Sequence, residues 1–126
     1  MARILVVDDD HALRSAVRVV LEAAGYTVAE AADGEAGLRS YHEQGADLVL
    51  VDVFMPERDG LEMILALRAA IPQPKIVAMS GGGRIGLDDV LTAAAAFGAA
   101  RTLRKPFEPS DLLAAIRELL TWRESS

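Results

Sequence analysis

Leu48-Val49-Leu50-Val51-Asp52-Val53-Phe54-Met55-Pro56 runs four apolar residues into a carboxylate, resumes an apolar run and stops at a proline. A short, unbroken Leu/Val run is the pattern of a strand buried on both faces. An Asp at its C-terminal end needs partners, because an unpaired buried charge is costly. The competing reading makes Asp52 a cap or turn residue ahead of a helix. The flanking sequence has to separate the two.

Upstream, Ile4-Leu5-Val6-Val7 is a similar run, and it ends on Asp8-Asp9-Asp10. From His11 to Ala24 the pattern turns helical, with Leu13, Val17, Val20, Leu21 and Ala24 on one face and Gly25 closing the helix. Thr27-Val28-Ala29-Glu30-Ala31 alternates, as a strand with one wetter face does. Asp33-Gly34 makes a turn into a second helix that reaches about Gln44, with Leu38 and Tyr41 inward and Gly45 at its end. Downstream, Pro56 to Gly60 is a loop, and Leu61, Ile64, Leu65 and Arg68 define a third helix ending near Pro72. Lys75-Ile76-Val77-Ala78-Met79 is strand four, followed by Ser80-Gly81-Gly82-Gly83. An alanine-rich helix covers about Leu87 to Phe97, and Gly98 closes it. Arg101-Thr102-Leu103-Arg104-Lys105 alternates as strand five. After Lys105-Pro106-Phe107, Ser110 caps a last helix that packs Leu112, Ile116, Leu119 and Leu120 and frays from Thr121 onward.

Five strands alternating with five helices predict an α/β fold: a doubly wound, flavodoxin-like parallel sheet covered on both faces. The apolar strands one, three and four belong in the centre, and the alternating strands two and five at the edges. Right-handed crossovers and short connections then give the order 2-1-3-4-5. The winding reverses between strands one and three, where open α/β sheets hold ligands outside the carboxyl ends of the strands. Asp8 and Asp9 end strand one and Asp52 ends strand three, so the carboxylates meet at that crevice.

The 126 residues fit one domain, spanning residues 1–126, and are enough to bury roughly two-thirds of the unfolded surface. Hydrophobic residues make up 52% and charged residues 25%, a globular composition. No apolar run approaches the roughly 20 residues of a membrane span, and a cytoplasmic location is the simplest expectation. The absence of cysteine excludes disulfides and thiolate metal sites. A net charge of −6 argues against direct nucleic-acid binding.

Three carboxylates at close range need a counter-charge. A hard divalent cation suits them: Mg²⁺ takes oxygen ligands and fills its remaining positions with water or phosphate oxygens. The two histidines, His11 and His42, lack metal-ligand spacing and are expected at the surface. Ser80 at the end of strand four offers a hydroxyl to an oxyanion, with Gly81 leaving room beside it, and Lys105 ends strand five with a cation. An Asp beside a metal, a hydroxyl and a lysine suits phosphoryl transfer, with the carboxylate as nucleophile and the cations neutralising the equatorial oxygens.

The chain resembles the receiver domain of bacterial two-component response regulators, CheY-like in type. The resemblance rests on Ile4-Leu5-Val6-Val7-Asp8-Asp9-Asp10, on Val51-Asp52-Val53-Phe54-Met55-Pro56 with Asp59-Gly60, on Ser80, and on Lys105-Pro106-Phe107. It implies a phosphorylation-dependent switch rather than an enzyme, in which Asp52 takes a phosphoryl group from a phosphohistidine of a sensor histidine kinase or phosphotransfer protein. It implies that Asp9, Asp52 and the Phe54 carbonyl bind Mg²⁺ with help from Asp8 through water, that Ser80 takes a phosphoryl oxygen, and that Lys105 pairs with the phosphoryl group. A cis Lys105–Pro106 bond is also implied, as is a downstream target protein or output domain.

Thr102 stands where the family usually carries an aromatic switch residue, three positions before the lysine. The glycine-rich segment from Ser80 to Gly86 is expected to order on phosphorylation, and Phe54 to shield an acyl phosphate. Arg101, Arg104, Arg117 and Arg123 read as solvated charge or as a docking or homodimer surface on helix four, strand five and helix five. Two other classes compete. A haloacid-dehalogenase-like phosphatase also uses a nucleophilic Asp and Mg²⁺, but Asp8-Asp9-Asp10-His11-Ala12 lacks that family's closing residue. A flavodoxin-like FMN binder would not place acids where the phosphate sits.

Overall fold

The computed structural model describes residues 2–53, 59–70, 73–80 and 99–125. Five strands, β1 (Arg3–Val7), β2 (Thr27–Ala31), β3 (Leu48–Asp52), β4 (Lys75–Ser80) and β5 (Arg101–Arg104), form one sheet in the order β2-β1-β3-β4-β5. Every pairing is parallel. Among the described residues four helices accompany them: α1 (His11–Ala23), α2 (Gly34–Gln44), α3 (Asp59–Arg68) and α4 (Pro109–Ser125). The alanine-rich helix expected over about 87–97 lies outside the described residues, as does the glycine-rich segment from 81 onward.

Side chains alternate faces along a strand, and here both faces are apolar. Leu5, Val7, Val49, Val51, Ile76 and Ala78 pack with Met63, Ile64 and Leu67 of α3 and with Ala36, Leu38 and Tyr41 of α2. Ile4, Val6, Leu48, Leu50, Val77 and Met79 pack with Val17 and Leu21 of α1 and with Leu112, Ile116 and Leu119 of α4. The central strands therefore have no polar face to alternate, which is why they appear as unbroken apolar runs. Truncating such a residue, Leu50→Ala for example, should cost about 2–5 kcal/mol.

Local signals set most element ends. Asp10 accepts a hydrogen bond from the Leu13 amide and Asp33 one from the Ala36 amide, so each caps a helix. Gly25 and Gly45 follow α1 and α2 at φ of 99° and 71°, where a Cβ is unfavourable. Several details differ from the sequence expectation: helix α3 begins at Asp59, inside the loop expected over Pro56 to Gly60, and ends at Arg68 rather than near Pro72. Asp33-Gly34 is a cap and first helical residue rather than a turn. Leu65 is 47% exposed, and Met63 and Leu67 fill the core beside Ile64 instead. Ser110 lies inside the first turn of α4, where Glu108 is the cap: its carbonyl accepts from Asp111 and Leu112, and its amide donates to the Asp111 carboxylate. Helix α4 continues to Ser125 rather than fraying at Thr121.

Candidate functional site at the carboxyl edge of the sheet

Among the described residues, the buried polar or charged side chains are Asp8, Asp52 and Ser80. All three stand at the carboxyl ends of the central strands, Asp8 just beyond β1, Asp52 ending β3 and Ser80 ending β4. The expected switch point is thus where the sheet admits polarity into its core. Exposed Asp9 joins them: one carboxylate oxygen each from Asp8, Asp9 and Asp52 lies within 4.8 Å of the others.

Lys105 supplies a counter-charge. Its Nζ lies 2.6 Å from Asp8 Oδ2 and 3.3 Å from Asp52 Oδ2. The main chain carries it there, since the Lys105 amide donates to the Ser80 carbonyl at 2.8 Å and prolongs the β4–β5 ladder by one bond. The Lys105–Pro106 peptide is cis. Burial alone would pull the ammonium pKa down. The hydrogen bond to Asp8 and the charges of Asp52 and Asp8 outweigh that, and the pKa is raised above the ordinary 10.5.

Asp8 is held from several sides. Its amide donates to the Ala31 carbonyl at 3.1 Å, and its Oδ1 accepts from the Asp10 amide at 2.9 Å. Arg14 Nη1 donates to its carbonyl at 2.6 Å. Ser80 Oγ is buried and makes no hydrogen bond among the described residues, although a buried hydroxyl ordinarily has a partner. The carboxylate set is all oxygen and fits a hard divalent cation rather than a softer metal, while Lys105, which meets Asp8 and Asp52, and the Ser80 hydroxyl are groups suited to an oxyanion.

Asp8, Asp9, Asp52, Ser80 and Lys105 thus come together as the sequence predicts. Phe54 lies outside the described residues. Asp10, grouped with its neighbours in the sequence, is spent on capping α1. His11 and His42 are exposed, and His11 Nδ1 accepts from Arg14 Nη2 at 3.1 Å. Thr102 is exposed on β5 opposite Ala78. Arg101 pairs with Glu118, so part of the arginine face is neutralised within the chain.

Two contributors were not legible in the sequence. Arg14 reaches back to Asp8, and no motif announces that. Gly60, the second residue of Asp59-Gly60, lies against the carboxyl end of β3. A Cβ there would collide with the Asp52 carbonyl oxygen and lie 2.5 Å from Val53 Cα. Only glycine lets the first turn of α3 lie on that peptide.

A doubly wound parallel sheet with an acidic, lysine-bridged cluster at its switch point defines a class, and comparison with known proteins gives it a family. The response regulator receiver domain family matches residues 4–117. The transcriptional regulatory protein CpxR of Escherichia coli is 39% identical over 120 residues, covering 95% of this chain and 50% of CpxR. Protein CcdB of Bacillus subtilis is 33% identical over 121 residues, covering 95% of this chain and 98% of CcdB. A CheY-like receiver domain from Methanospirillum hungatei superposes with a TM-score of 0.90 at 30% identity, covering 99% of this chain and 98% of that one. The chain belongs to the response regulator receiver domains of two-component signalling. It spans about half the length of several curated relatives it matches. Among the described residues no helix is long and apolar enough to cross a membrane.

Proposed function

We propose that the chain is a single receiver domain over residues 1–126 and that Asp52 is its phosphoacceptor. The observation that carries this is Lys105 Nζ bridging the carboxylates of Asp8 and Asp52 at the carboxyl edge of the sheet. The donor is a phosphohistidine of a sensor histidine kinase or of a histidine phosphotransfer protein. An Asp52 carboxylate oxygen attacks phosphorus, and the new O–P bond forms as the P–N bond to the imidazole breaks. The electron pair leaves with that ring nitrogen, and the product is an acyl phosphate. Lys105 neutralises charge on the transferred group and Ser80 donates its hydroxyl to one of its oxygens.

Asp8, Asp9, Asp52 and the Phe54 carbonyl would hold Mg²⁺, with Asp8 acting through water. When bound, the ion supplies positive charge to the phosphoryl oxygens in the transition state. The same groups assist hydrolysis of the acyl phosphate, so the domain is a switch with self-limiting lifetime rather than an enzyme acting on an external substrate. It works in the cytoplasm, and its phosphorylated form engages a target protein or output domain, without direct contact to nucleic acid or membrane. The arginine face on β5 and α4 is the candidate homodimer surface.

Intact mass after incubation with acetyl phosphate and Mg²⁺ tests this reading. Wild type should gain one phosphoryl group, and Asp52→Asn should gain none. A wild type that stays unmodified with Mg²⁺ present would overturn it.

A further inference from the structure

Arg14 sits in the second turn of α1 with its side chain only 12% exposed. It makes three contacts. Nη1 donates to the Asp8 carbonyl at 2.6 Å, Nε to Glu30 Oε1 of β2 at 3.1 Å, and Nη2 to His11 Nδ1 at 3.1 Å. Glu30 is itself held by Arg18, whose Nη1 meets Oε2 at 2.9 Å and whose Nε meets Glu22 Oε2 at 3.1 Å. A polar chain therefore runs from the surface of α1 through the edge strand and ends on one backbone oxygen, that of Asp8.

That oxygen belongs to the peptide plane joining Asp8 to Asp9. Because the plane is rigid, fixing its carbonyl fixes the direction in which the Asp9 backbone departs. Asp9 is the exposed member of the carboxylate cluster. The planar guanidinium fork satisfies Glu30 and the carbonyl together, which a single ammonium cannot do with the same geometry.

We propose that Arg14 is a positioning residue for the divalent-cation site. Locked by Glu30, it orders the β1–α1 junction so that Asp9 already faces Asp8 and Asp52 before the cation arrives. The inference rests on the metal site proposed above. Preorganisation removes an ordering cost that would otherwise be subtracted from affinity. Electrostatics alone predicts the opposite sign, since deleting a cation near three carboxylates should strengthen Mg²⁺ binding.

Calorimetric titration with MgCl₂, beside urea unfolding of each variant, separates these possibilities. Arg14→Ala should weaken Mg²⁺ about ten-fold, in the range of lost outer-shell partners. Arg14→Lys, which keeps the charge and serves if Arg14→Ala does not fold, should lose affinity by a smaller factor. Arg18→Ala breaks an ion pair to the same Glu30 without touching Asp8, and should stay within about two-fold of wild type, because an ion pair from so exposed a side chain contributes little. Unchanged or tighter Mg²⁺ binding in Arg14→Ala and Arg14→Lys, with wild type binding normally, overturns this inference alone. So does a loss in Arg18→Ala equal to that in Arg14→Ala, which would reduce the effect to general destabilisation. A wild type that takes up no Mg²⁺ overturns the functional reading and this inference with it.

Discussion

At the amino ends of β1 and β3, Asp47 accepts a hydrogen bond from the Arg3 amide at 2.8 Å, while the Arg3 side chain donates to the Gly45 carbonyl and to Gln44. At the carboxyl ends of the same two strands, Asp8 and Asp52 share the Lys105 ammonium, Asp9 crowds beside them, and the Ser80 hydroxyl stays unpartnered among the described residues. The first arrangement uses its polar groups to join chain segments. The second gathers three carboxylates beside one lysine, and it keeps two of them, Asp8 and Asp52, buried. Burying two carboxylates against a single lysine lowers stability, so their presence, among the described residues, at one end only is the mark of a site.

The largest contrast should come from removing one carboxylate at each end. Asp52→Asn should abolish phosphoryl labelling yet raise the thermal midpoint in Mg²⁺-free buffer, because it relieves crowding while Lys105 keeps Asp8. Asp47→Ala should lower stability by about 1.5 kcal/mol, the worth of a hydrogen bond to a charged group, and leave labelling intact. If both substitutions destabilise alike, the two ends do not differ in the way described.

A smaller effect is expected at Gly60, where the added methyl of Gly60→Ala would press on the Asp52 carbonyl. Overpacking of that kind costs about 1–3 kcal/mol. The displaced acceptor should slow labelling by acetyl phosphate at least about ten-fold, since small misplacements of a reacting group are expensive. Wild-type labelling kinetics in a destabilised Gly60→Ala would show that the close approach matters to packing alone.

The smallest effect is a pH dependence. The pKa of Lys105 is raised in the folded chain, so its contribution to stability is fully present below its unfolded value. That contribution is lost as pH rises through the folded value, above 10.5. Urea midpoints without Mg²⁺ should therefore fall more steeply above about pH 10 in wild type than in Lys105→Met. Parallel curves would mean that the bridge adds nothing to stability.

The strand order was legible because burial on both faces leaves no polar alternation in β1, β3 and β4, whereas β2 and β5 show it. The cluster was legible because in this topology Asp8, Asp9, Asp52, Ser80 and Lys105 follow or end their strands, so strand order alone brings them together. What sequence could not resolve has physical causes too. Helix α3 is apolar at Leu61, Met63, Ile64, Leu65 and Leu67, so its periodicity admits more than one buried face, and it points to Leu65 where Met63 fills the core. Glu108 and Ser110 both stand near the start of α4, and only the backbone bonds distinguish the cap. Arg14 reaches Asp8 through a long side chain across a turn, a contact no local pattern encodes.

The central claim is that the excess charge at the carboxyl edge exists to make Asp52 a phosphoryl acceptor. Borohydride reduces an acyl phosphate on Asp to the alcohol, leaving homoserine at the modified position. Peptide mapping of the wild-type chain after acetyl phosphate, Mg²⁺ and borohydride should find homoserine at position 52 and lose it when Mg²⁺ is chelated. Homoserine at position 8 or 9 instead, or labelling at 52 indifferent to Mg²⁺, would contradict the account.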